Sequence, residues 1–148
     1  MLIETLKTLF SRDLQRLRKE IELYSNENNL WKIEKDIANS AANLCLHLIG
    51  NLNTYIGKEI GKTGHIRNRE SEFSLKNIPK VELLQKIDET IVVVNNSLDK
   101  LTQEDLQEEY PITVFDTTTS TEYLLVHLTT HLAYHLGQIN YHRRLLDK

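Results

Sequence analysis

Apolar residues recur every three or four positions in four long stretches of the chain, and each stretch predicts an amphipathic helix. The first runs from about Ile3 to Tyr24, with Leu6, Phe10, Leu14, Leu17, Ile21 and Tyr24 as its stripe. Lys7, Arg12, Asp13, Arg16, Lys19 and Glu20 make the solvated side, and the turn-forming run Ser25-Asn26-Glu27-Asn28-Asn29 ends it. The second is expected to start near Asn39 or Ser40, both good caps, and to run to about Ile56, where Gly57 can end it. The third begins near Pro79 and buries Val81, Leu84, Ile87, Ile91, Val94, Leu98 and Leu101. The fourth runs from about Ser120 to Leu146, with Thr119 and Glu122 at capping-box spacing.

The connections differ in length. Leu30-Trp31-Lys32-Ile33 is a short apolar plug for one end of the core. Residues 58–78 read as a long loop, and long loops inside compact domains often carry function. A second long connection, Thr102 to Thr119, contains Pro111 and β-branched residues that favour an extended path over Tyr110 to Phe115. Four long amphipathic helices in a chain of one-domain size predict an all-α four-helix bundle spanning residues 1–148. With long connections after the second and third helices, the topology should not be a minimal up-down stack.

Composition narrows the function classes. The net charge of -3 supplies no basic stripe and argues against a nucleic-acid partner. No apolar run approaches the ~18 residues of a membrane span. The start of the chain, interrupted by Glu4 and Lys7, has no signal-peptide pattern, and the single cysteine, Cys45, cannot form an internal disulfide. A cytoplasmic protein without a membrane partner is the expectation. Cys45 reads as a small core residue.

Candidate chemistry gathers on histidines. His127, His131 and His135 follow one another at four-residue steps on the last helix, so neighbours share a face. Two imidazoles one turn apart can reach one metal ion. A third ligand should come from a facing helix, and His47, among the aliphatic residues of the second helix, is the best candidate. His127 competes with His135, because it stands at the same spacing from His131. Each histidine alone is also compatible with a core residue satisfied by hydrogen bonds. His65 and His142 read as solvated. Asn39, Asn43, His47 and Asn51 form a polar stripe, from which Asn43 or Asn51 could orient a ligand or a water. Arg67, Arg69, Glu70 and Glu72 could receive an anionic substrate or pair among themselves, and Tyr134, Gln138 and Tyr141 could donate hydrogen bonds into a pocket. No carboxylate is placed convincingly as a general base; Glu70, Glu72 and Glu122 are the options.

The run Thr130-His131-Leu132-Ala133-Tyr134-His135-Leu136-Gly137-Gln138-Ile139 resembles the closing helix of the DinB-like superfamily, in which two histidines one turn apart precede Gly-Gln and an aliphatic residue. Asn39-Ser40, His47-Leu48-Ile49-Gly50-Asn51 and the Arg-x-Arg-x-x-Glu-Phe string Arg67 to Phe73 resemble one branch of it, in order and spacing. The resemblance implies a four-helix bundle of DinB-like type that binds a divalent metal through His47, His131 and His135, and often pairs as a homodimer. Leu136 stands where many members carry an arginine. Some relatives are transferases or isomerases that use a low-molecular-weight thiol.

Three neutral imidazoles suit zinc or nickel, and also iron or copper. They leave the ion its charge and an open position that acidifies a bound water or thiol. The expected function is a metal-dependent enzyme, an S-transferase using a thiol cosubstrate or a hydrolase, acting on a small electrophile. The rival is a non-catalytic metal- or ligand-binding bundle, a stress-related binding or interaction protein.

Overall fold

The computed structural model describes residues 1–148 and is helical throughout, with no strands. We number its α-helices α1 (Leu2–Glu22), α2 (Ala41–Leu52), α3 (Arg69–Ser74), α4 (Lys80–Leu98) and α5 (Thr121–Leu146). The stripe predicted for the first helix is the buried face of α1: Leu6, Phe10, Leu14, Leu17 and Ile21 are all inside. Val81, expected in the buried stripe of α4, is exposed, because the buried face runs through Leu83, Ile87, Thr90 and Val94 and a residue two positions before Leu83 points to the other side.

The four long helices form the bundle. Both α1 and α2 pack against α4 and α5, so helices adjacent in sequence sit largely on diagonals. This explains the long connections. The first, which follows α1, is tied to the end of α5: the Asp147 carboxylate accepts from Ser25 N, Asn26 N and Asn29 Nδ2 at 2.7, 3.2 and 2.9 Å.

Four local expectations are corrected. Gly57 does not end the second helix. After Leu52 the chain widens into a π-helical turn, Asn53–Lys58, where Asn53 Nδ2 donates to Ile49 O at 2.8 Å and to Thr90 Oγ1 at 2.9 Å. Gly57 is instead a close-packing point, since a Cβ there would press on Val93. The loop 58–78 contains α3, capped by Asn68 Oδ1 on Ser71 N at 3.1 Å. The cap of α5 is Ser120, whose Oγ accepts from Tyr123 N at 3.1 Å, so the Thr119/Glu122 box is not used. Around the expected extended stretch, pairing is limited to an isolated bridge between Glu109 and Ser120. The core also reaches into this connection, through Leu106 and Tyr110. No helix is long and apolar enough to cross a membrane.

Candidate metal centre

The centre begins with the middle of α2, which is buried on nearly every side because helices lie on both flanks. There His47 is 6 % exposed. Across the core, α5 brings His131 and His135 to the same point, one turn apart. One nitrogen from each of the three rings falls within a cluster no wider than 4.8 Å. His47 Nε2 and His131 Nε2 are 3.2 Å apart. Two imidazoles sharing a tetrahedral ion at ~2.0–2.1 Å have nitrogens about 3.3 Å apart. The His135 ring stands edge-on to both others, with centroids 5.2 Å from His47 and 4.6 Å from His131.

What holds the rings also fixes their protons. His47 Nδ1 lies 3.0 Å from Glu72 Oε1 and His135 Nδ1 lies 2.7 Å from Gln138 Oε1. An oxygen acceptor at Nδ1 keeps the proton there and leaves Nε2 as a lone-pair donor facing the cluster. His131 Nδ1 is buried without a partner. Burial depresses the pKa of His47 against the opposing pull of Glu72, and nearby His135 and Arg67 lower it further. Burial, then His135, His47, His127 and Arg67, bring His131 down to about 4. At neutral pH His47 and His131 are therefore neutral, the state that a metal requires. The donor set, the spacing of His47 and His131, and the proton placement on His47 and His135 fit a divalent ion.

Glu72 is the residue that sequence reasoning placed only as one of several charged loop groups. It is 5 % exposed, and Arg67 grips it with Nε at 2.8 Å and Nη2 at 2.9 Å. Two features bring it in. Asn43 Nδ2 donates to the carbonyls of Glu72 and Leu75, both at 2.9 Å, and so clamps α3 onto α2. Gly50 lies on the His47 face, and a Cβ there would overlap the Glu72 carboxylate. A glycine three positions after a buried histidine was the signal available in the sequence.

The remaining residues separate clearly. Asn43 holds the fold of α3 and makes no hydrogen bond to a histidine ring. Asn51 is 7 % exposed, and its Oδ1 is buried without a partner. His127 is outside the three-nitrogen cluster: it packs on Phe115, with ring centroids 4.8 Å apart, stacks 6.4 Å from His131 and lines the smaller cavity beside it. Glu70 is exposed and joins no ion pair. His142, expected in solvent, is buried: Tyr24 Oη donates to its Nδ1 at 2.7 Å and its Nε2 donates to Lys32 O at 2.9 Å. Cys45 is buried and unpaired, and burial pushes its thiol up to about 12. It has no access to solvent as a nucleophile.

Two cavities flank the rings. One, of about 510 Å³, is bounded by His135, Gln138, Tyr134, Tyr141 and Leu44, with Asp36 at its edge. The other, of about 210 Å³, lies against His47 and His131 and has Arg67 and Arg69 in its wall.

The molecule is thus an all-helical bundle with a three-histidine cluster between two cavities. A family model described as "Protein of unknown function (DUF1572)" matches residues 2–148, and the chain belongs to that family. No curated protein matches the sequence.

Proposed function

We propose that the protein is a metal-dependent enzyme of DinB-like type, with a divalent transition ion, zinc or nickel in first place, held by His47, His131 and His135. The observation that carries this reading is the convergence of three ring nitrogens within 4.8 Å, from two helices that face each other across the core. When bound, the ion supplies a Lewis-acid centre that lowers the pKa of a water or thiol at its open position.

The chain's own groups do the rest. Glu72, held by Arg67, fixes the His47 tautomer and ring orientation. Gln138 does the same for His135. The larger cavity, walled by Tyr134, Tyr141 and Leu44, offers an apolar bed for a small electrophile. Both Glu72 oxygens are engaged, and Asp36 is the one carboxylate lining either cavity. Such a site favours a nucleophile that ionises on binding, as a thiol does, over one that needs a general base. The reaction class is therefore S-transfer from a low-molecular-weight thiol, ahead of hydrolysis.

The shortage of free carboxylates also favours one rival, a bundle that binds metal without turnover. Metal analysis of the gently purified protein, with conjugation assays of electrophiles against several thiols, separates the two. Metal at about one ion per chain with thiol-dependent turnover supports the enzyme. Metal without turnover by any thiol or ester supports the binder, and metal at background contradicts both.

A cytoplasmic homodimer belongs to the same reading. The pairing is what the DinB-like resemblance implies, and it leaves Tyr134, Tyr141 and Leu145 to line the larger cavity. Light scattering at micromolar concentration should give twice the chain mass; a monomer would remove this part.

A further inference from the structure

The smaller cavity holds a positive charge that the chain does not neutralise. Arg67 is engaged with Glu72 and stands 5.8 Å from the centre of the Tyr55 ring. Arg69, in the same wall, forms no ion pair. No carboxylate lines this cavity. The Arg69 side chain is exposed at the cavity and makes no hydrogen bond within the chain, so its guanidinium is free to meet an anion, and its fork matches a carboxylate or phosphoryl group.

Asn51 is the second observation. More than nine-tenths buried, it lines the same cavity, and its Oδ1 has no hydrogen-bond partner. Its Nδ2 also makes no hydrogen bond within the chain and, unlike Oδ1, is not sealed from solvent, so the carboxamide has an N–H to donate to an anion in the cavity. At about 210 Å³ this cavity is less than half the size of the other, about 510 Å³, and suits one small charged group.

We propose that the cavity between Arg69, Asn51 and the imidazoles receives the anionic group, a carboxylate or a phosphoryl group, of a small substrate whose reacting atom sits at the ion on His47, His131 and His135. Arg69 is the specificity residue, and Arg67 is a positioning residue that acts through Glu72. The inference rests on the metal-dependent reading above.

Cobalt makes the test optical, because its d–d bands report occupancy of the three-histidine site and a bound thiol adds a charge-transfer band. The cobalt-loaded protein is titrated with 3-mercaptopropionate, with its neutral amide 3-mercaptopropionamide, and with 2-mercaptoethylphosphonate. At least one of the two anions should bind about tenfold or more tightly than the amide, the scale of one charge-assisted hydrogen bond. The tighter anion decides between carboxylate and phosphoryl. Arg69→Gln should erase the preference at unchanged cobalt content, and Arg69→Lys should restore part of it. Equal binding of amide and anions, a preference that survives Arg69→Gln, or no thiol binding at all overturns the proposal. A protein that takes up no cobalt fails earlier, at the metal site itself, and the absent d–d bands identify that failure.

Discussion

Helix α5 carries one buried and one half-buried histidine environment about two turns apart, and they have opposite logic. At His142 both ring nitrogens find partners inside the chain, Tyr24 Oη at 2.7 Å and the Lys32 carbonyl at 2.9 Å. That ring is complete, and it ties α5 to the end of α1 and to the connection that follows. At His131 and His135 the nitrogens turn toward one another and toward His47, and His131 Nδ1 has no partner. Groups that repel one another when protonated are held together by burial and by Glu72 and Gln138. Burial alone therefore says little about a histidine. What separates a structural ring from a candidate ligand is whether the protein itself uses both nitrogens.

The sharpest way to break this contrast is to remove rings from each group. His47→Ala, His131→Ala and His135→Ala should each reduce metal, measured by mass spectrometry on purified protein, from about one ion per chain to background. His142→Gln and His65→Ala should leave the metal content unchanged. If His142→Gln strips the metal, the two environments are not distinct. Next in size is the carboxylate behind His47. Glu72→Gln should weaken metal affinity by about 10- to 100-fold in a chelator competition, the usual cost of losing an outer partner of a ligand histidine. Gly50→Ala should act in the same direction, because its methyl group occupies the Glu72 position.

On the structural side, His142→Gln should lower unfolding stability in urea by about 1–3 kcal/mol, the range for losing buried hydrogen bonds. The metal should not reverse that loss. The smallest effect is on pH. His131 and His142 both have folded pKa values depressed by burial below the ordinary ~6.5, His131 to about 4. The unfolded chain then binds more protons than the folded one between these values. Stability of the metal-free protein should be fully present above about pH 6.5 and decline as the pH falls toward about 4. Thermal melts across that interval check the direction; a melting temperature that rises on acidification would contradict it.

The scaffold was readable because its signal is repeated. Leu6 through Ile21 mark the buried face of α1 five times over, and four such stripes with few glycines leave little alternative to a bundle. Single-residue events were harder to read. Whether Thr119 or Ser120 caps α5, and whether Gly57 stops α2 or packs on α4, depends on neighbours that periodicity does not record. One-turn spacing plus a polar residue in an aliphatic run pointed to His131 and His47 but left His127 and His135 at equal spacing, and only the resemblance to DinB-like proteins implied His135. His142 looked solvated because it lies at the last turn of its helix, and its partners, Tyr24 and Lys32, lie more than a hundred residues away. Glu72 was hidden for a similar reason. It sits in a charged string whose exposed members Arg69 and Glu70 suggest a solvated loop, whereas the clamp from Asn43 folds that string over His47.

The direct test of the central claim is a crystal structure of the zinc-loaded protein with data collected on either side of the zinc absorption edge. The account predicts one anomalous peak about 2.0–2.1 Å from a nitrogen of each of His47, His131 and His135. A peak held by other residues, or rings that turn apart around an empty centre in the presence of excess zinc, would contradict it.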